Sequence, residues 1–144
     1  MTQHGGAVIG TEDCLYLDVY SPSPLKGKPG PYPVLFYIHG GGLMWGSSQQ
    51  DDFTKLVSRA NEGLVVVMVN YRTNIYGFLA TAELSEEQGG TSGNYGIRDQ
   101  ILGLEWVRDN IIAFSGDPEK VTIGMLLISS HDYPPTRLTV HVVL

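Results

Sequence analysis

The chain has 144 residues, 42% of them hydrophobic, which suits one folded domain and argues against disorder. Nine Lys and Arg against 15 Asp and Glu give a formal charge of -6, which disfavours a nucleic-acid partner because phosphate contacts need a basic surface. No apolar run approaches the roughly 20 residues of a membrane helix, and the first ten residues lack the basic start and apolar stretch of a secretory signal.

In chain order, the lone Cys14 opens a segment, residues 14–20, in which Leu15, Leu17 and Val19 alternate with Tyr16, Asp18 and Tyr20. That period of two predicts a half-buried strand. Cys14 cannot close an internal disulfide, and reads equally as a small buried hydrophobe or as a residue with a special role. Residues 21–33 carry five prolines and two glycines and predict a turn-rich connection. Residues 34–38, Val-Leu-Phe-Tyr-Ile, form a continuous apolar run expected to be a strand covered on both faces. Asp52 can cap a helix in which Phe53, Leu56, Val57 and Ala60 recur at helical spacing, and residues 64–69 read as a second fully apolar strand.

From 70 to 93 the pattern is less regular. Tyr76, Phe78 and Leu79 are expected to pack, and residues 82–93, with three Glu and three Gly, read as a surface excursion. A helix starting near Asn94 or Tyr95 has a broad apolar face of Ile97, Ile101, Leu104, Trp106, Val107 and Ile111, with Gly103 weakening its interior. Residues 115–118 predict a turn, and Val121 starts a third strand. Strand and helix alternate, so the expected fold class is α/β, a mostly parallel sheet with flanking helices and functional loops at the carboxyl ends of its strands.

The first such loop is His39-Gly40-Gly41-Gly42. Consecutive glycines after a buried strand can turn backbone N–H groups toward a developing oxyanion, or can simply make a tight loop. The nucleophile that such a loop serves would sit on a sharp turn written Gly-x-Ser-x-Gly, and no such pentapeptide occurs in the 144 residues. Ser129 and Ser130 lack flanking glycines. Ser130-His131-Asp132 joins the three triad residue types, but neighbours in a chain rarely fold back into triad geometry, so a surface turn before Pro134 and Pro135 is expected there. The four histidines and one cysteine lack metal-ligand spacing, Gly89 to Gly96 has no phosphate-loop pattern, and no cofactor is expected.

Several stretches carry a family resemblance: Glu12-Asp-Cys-Leu-Tyr-Leu-Asp-Val-Tyr20, the run from Val34 through Gly42, the Val69-Asn-Tyr-Arg72 core of residues 65–79, and Gly93-Asn-Tyr-Gly-Ile-Arg-Asp-Gln100. The pattern continues through Leu104-Glu-Trp-Val-Arg-Asp-Asn110 and Phe114-Ser-Gly-Asp-Pro118 to Val121-Thr-Ile123. In this order they resemble the type-B carboxylesterase family, which includes the cholinesterases and the non-catalytic neuroligin-type adhesion proteins. The resemblance covers residues 11–123, leaves 124–144 as a divergent tail, and makes residues 1–144 a partial carboxylesterase domain with a partial α/β-hydrolase fold, an internal portion from the amino-terminal half of the family's members.

The resemblance implies that Gly41 and Gly42 are oxyanion-hole donors, with Gly40 permitting the bend and His39 bracing the loop. The family's catalytic acid and histidine would come later than Leu144, and its Gly-Glu-Ser-Ala-Gly elbow would follow the strand at Val121, where this chain reads Gly124-Met-Leu-Leu-Ile128. Leu43, Met44 and Trp45 would line the ester pocket, or simply pack. Arg72, Asp99 and Glu12 lie beside apolar sequence, which is costly for an unpaired charge, and the resemblance suggests buried structural ion pairs, Arg72 with Asp99 foremost, with plain exposed charges as the alternative. Cys14 matches a cysteine that in secreted members pairs with one upstream, absent here.

The expected function is therefore that of a serine carboxylesterase relative, acting in its full-length form on small-molecule esters, with this chain itself inactive. The alternatives are a non-catalytic interaction module, recognisable by a stable complex through residues 97–111, or weak turnover through Ser129 or Ser130. The strand near Val121 should present an unpaired sheet edge, favouring marginal stability or self-association. Alternation of Leu138, Val140 and Val142 with Thr139, His141 and Val143 offers a tail strand to that edge.

Overall fold

The computed structural model describes residues 2–4, 7–23 and 29–125. Its centre is a four-stranded sheet in the order β3-β5-β4-β6. Here β3 is Leu17–Tyr20, β4 Tyr32–Ile38, β5 Val65–Val69 and β6 Gly116–Met125. Strand β4 runs parallel to both β5 and β6, and β3 joins β5 antiparallel. Strands β1 (Thr2–His4) and β2 (Ala7–Ile9) make a separate antiparallel pair. The sheet is thus mixed, with flanking helices, as expected of a partial α/β-hydrolase fold.

Strand β5, Val-Val-Val-Met-Val, is buried at every position, because both faces of a central strand are covered. Its odd-numbered residues pack with Val34, Phe36 and Ile38 against Val107 and Ile111 on one face of the sheet, while Val66 and Met68 meet Val57 on the other. The first group lies under α4 (Tyr95–Asn110), the second under α1 (Thr54–Arg59). Two helical layers therefore sandwich the sheet. Asp52 Oδ1 accepts from Thr54 N at 2.9 Å, which tethers the start of α1.

Several sequence expectations change. Strand β4 starts at Tyr32, inside the proline-rich connection, and alternates in burial, with Leu35 and Tyr37 only half covered by Phe53 and its neighbours. The strand expected from Cys14 begins at Leu17, because Tyr16 N bonds back to Cys14 O at 3.0 Å in a local turn that leaves Leu15 exposed. The irregular segment 70–93 holds two short helices, α2 (Asn74–Phe78) and α3 (Ala82–Glu87). The Thr81 hydroxyl accepts from Leu84 N at 3.2 Å and caps α3, which has no buried residue and so remains a surface excursion. Tyr76 and Leu79, expected to pack, are about half exposed at 47% and 46%.

Strand β6 starts at Gly116, earlier than expected, yet Tyr32 pairs with Gly116 and Val34 with Val121, so residues 117–120 loop out of register. Asp117 closes that excursion by accepting from Glu119 N and pairing with Lys120 at 3.0 Å each. The turn read at 115–118 is in effect folded into the strand.

The buried side of α4 also differs in part from the apolar face in the sequence. Its fully buried positions are Gly96, Asp99, Gln100, Gly103 and Val107; Leu104, Trp106 and Ile111 pack on the core as expected, while Ile97 and Ile101 are exposed. A Cβ on Gly103 would lie 2.9 Å from Val69 Cγ2 and 3.1 Å from Phe36 Cζ. Glycine there brings the helix close to the sheet, and that approach decides which face is inward.

Candidate functional site

The loop of residues 39–47 leaves the carboxyl end of β4 beside the end of β5, since the two strands are parallel neighbours. His39, 1% exposed, lies flat on Tyr71 with ring centroids 4.3 Å apart and planes 15° from parallel. The Tyr71 hydroxyl donates to His39 O at 3.0 Å. His39 Nδ1 lies 2.9 Å from Gly40 O. A carbonyl only accepts, so Nδ1 carries the proton and Nε2 is the bare nitrogen. Nε2 is buried without a hydrogen-bond partner among the described residues. Burial pushes the imidazole below its ordinary value of 6.5, outweighing the Gly40 carbonyl and the more distant Asp51, which both favour the proton.

The backbone then turns sharply. Gly41 has φ +120, and a Cβ there would sit 1.9 Å from Trp45 O; Met44 N closes the turn on Gly41 O at 3.0 Å. Gly42 has φ +61 and open space where a side chain would be. The left-handed conformation continues into Leu43 at φ 63, a costly state for a branched side chain. Asn74 N, bonded to Leu43 O at 2.8 Å, holds it. Neither the Gly41 nor the Gly42 N–H donates in a loop hydrogen bond among the described residues. Leu43 and Met44 are exposed and Trp45 is partly buried. Gly46, at φ +136, passes so close to His39 that a Cβ would meet Nδ1 at 2.1 Å. Ser48 N reaches Asn70 Oδ1 at 2.7 Å, a further tie to the end of β5.

Arg72 and Asp99 meet in a bidentate pair. Arg72 Nε donates to Asp99 Oδ2 at 2.8 Å and an Arg72 terminal nitrogen to Oδ1 at 2.7 Å, while the Arg72 backbone N–H adds a bond to Oδ2 at 3.0 Å. The Asp99 side chain is 4% exposed and that of Arg72 38%, with the guanidinium 5.4 Å over the Tyr95 ring. The pair ties α4 to the segment after β5. Glu12 departs from the expectation of a buried pair: it is exposed, on the wall of a cavity of about 820 Å³ between residues 10–16 and the loops after β4 and β5. Half-buried, unpaired Cys14 and Arg72 share the cavity wall, whereas Gly40, Gly41 and Gly42 do not.

Ser129, Ser130, His131, Asp132 and the alternating segment 138–143 lie outside the described residues. Among the described residues no three His, Cys, Asp or Glu side chains gather as metal ligands, and no helix is long and apolar enough to cross a membrane. Sequence reasoning missed Tyr71, Gly46 and Asn70 as supports of the glycine loop. Asn70 and Tyr71 directly follow a buried strand within the Val69-Asn-Tyr-Arg72 stretch that carries the resemblance, and Gly46 follows the glycine run.

The sequence profile described as "Carboxylesterase family" matches residues 1–124. Liver carboxylesterase 1 of Oryctolagus cuniculus is 46% identical over 113 residues, 78% of this chain and 19% of its own length. Fumonisin B1 esterase of Sphingopyxis macrogoltabida is 44% identical over 123 residues, 84% of this chain and 22% of its own. The neuroligin-like protein glit-1 of Caenorhabditis elegans is 45% identical over 112 residues, 78% of this chain and 14% of its own. A solved structure of PNB esterase superposes with a TM-score of 0.71 at 36% identity, covering 81% of this chain and 23% of that one. The chain thus spans less than a quarter of the length of each of these relatives.

Proposed function

Because this chain belongs to the carboxylesterase family, we propose that its glycine loop is the oxyanion-binding half of a carboxylic ester hydrolase and that the 144 residues alone do not turn over esters. Gly41 and Gly42 supply the N–H donors, His39 and Gly40 support them, and Leu43 and Trp45 line the ester side. The reading is supported by the positive φ at both glycines and by N–H groups left without loop partners. One such donor stabilises the transition state of a working hydrolase by about 3 kcal/mol. Donors alone make no acyl-enzyme, and the observation that carries the inactivity is the missing Gly-x-Ser-x-Gly in the sequence. Full-length relatives would act on small-molecule esters. Residues 11–123 are the part of the partial domain in which that scaffold resides.

The test is p-nitrophenyl acetate hydrolysis together with intact-mass detection of a fluorophosphonate adduct. We expect turnover equal to protein-free buffer and no adduct. Turnover that disappears on changing Ser129→Ala or Ser130→Ala, with the melting curve unchanged, would overturn the reading. A second reading, a non-catalytic interaction module, rests on the exposed Ile97 and Ile101 on α4, the chain being as similar to a neuroligin-like protein as to the esterases. It requires a partner whose capture is lost in Ile97→Lys and Ile101→Lys variants.

A further inference from the structure

We infer that His39 is an acid-sensitive clasp on the glycine loop: protonation of its ring releases residues 40–46 from the end of β5. The inference concerns the loop's order and holds independently of whether an oxyanion ever enters it. Three contacts converge on this one ring. Tyr71 lies flat against one face, Gly46 backbone fits within the space a Cβ would need, and Nδ1 is spent on Gly40 O. The Tyr71 hydroxyl adds a bond to the backbone oxygen of the same residue.

The remaining nitrogen decides the response. A neutral imidazole with a buried bare Nε2 forgoes one acceptor bond, a moderate cost. An imidazolium in the same slot would bury a charged N–H with no acceptor among the described residues. The groups that oppose this are the Asp51 carboxylate, acting from a distance, the Gly40 carbonyl, and the Tyr71 face, which attracts a cation. Burial outweighs them. The Tyr71 phenol is itself pushed up by burial and stays neutral throughout the acid range.

The ring's pKa is lower in the closed loop than the 6.5 of an open one. Between those two values the open state binds more protons, so closure is fully favoured above 6.5 and weakens as pH falls through that window. Each unit of separation makes opening tenfold easier at the acid end.

The experiment follows the His39 ring resonances and the amides of Gly40, Gly41, Gly42 and Gly46 by NMR in the full chain, from about pH 8 to about pH 4.5. The expected result is a His39 midpoint below 6.5 and loop amide resonances that shift with that same midpoint, while the β5 amides stay protected. In His39→Gln the loop amides should lose their pH response. The inference is overturned by a His39 midpoint at or above 6.5, by loop amides that do not follow it, by β5 amides opening in parallel, or by a pH response that survives in His39→Gln. The unmodified protein suffices for the first three of these tests.

Discussion

Asp99 closes three hydrogen bonds to one residue, including the backbone N–H of Arg72. Asp99→Ala should therefore cost about 3 kcal/mol, at the lower end for a broken buried pair because the 38% exposed Arg72 can rehydrate. The shift of a urea midpoint measures this, and a loss under about 1 kcal/mol would make the pair ornamental. Glycine positions separate in the same way. Gly41→Ala drives a Cβ to 1.9 Å from a backbone oxygen and should cost more than about 3 kcal/mol, whereas Gly89→Ala, at φ +74 in open space, should cost only the 1–2 kcal/mol, roughly, of a left-handed residue. Equal losses in thermal melts would contradict this. At this scale the glycine run was readable beforehand, since three adjacent glycines are a local signal, while the Arg72–Asp99 pairing was expected only through the family resemblance. The stack of His39 on Tyr71 was not, because the residues lie 32 positions apart and meet only when β4 and β5 align.

Helix α4 shows where reading by periodicity gave the right element and part of its inward face: Leu104, Trp106, Val107 and Ile111 pack on the core, whereas Ile97 and Ile101 do not. Its apolar residues mark a helix, and the structure has one from Tyr95 to Asn110. The inward side, however, follows from close approach: Gly103 meets Val69 and Phe36 of the sheet, and Gly96 meets the Arg72 backbone oxygen and the Phe78 ring, atoms that any Cβ would strike. Helix propensity alone says that Gly103→Ala should stabilise by up to about 1 kcal/mol. The contacts at 2.9 Å and 3.1 Å reverse the sign, and we expect a net loss of about 1–2 kcal/mol by denaturant titration. Ile101→Gln, at 50% exposure, should change stability by less than about 0.5 kcal/mol. A stabilised Gly103→Ala would mean that the helix can back away from Phe36 and Val69. The short helices α2 and α3 went unread because five or six residues are too few for a period to register.

For the molecule as a whole, β6 pairs with β4 on one side and has no second neighbour among the described residues, while Ile97, Ile101, Leu102 and Ile112 lie exposed. An open edge beside uncovered apolar surface invites association. We expect sedimentation velocity to show mass rising with protein concentration and Ile101→Lys to reduce it. A concentration-independent monomer with a single cooperative melt would refute this. The strands of the central sheet, helices α1 and α4, the family, the glycine loop and the absence of a Gly-x-Ser-x-Gly pentapeptide were determined by the sequence itself, because runs and spacings within each stretch, taken in order, carry them. Tertiary structure alone decided which side of α4 turns inward, the looping-out of residues 117–120 and the enclosure of His39 by Tyr71 and Gly46. Those features depend on how closely distant backbones approach, a distance set by packing across the sheet and absent from any local pattern.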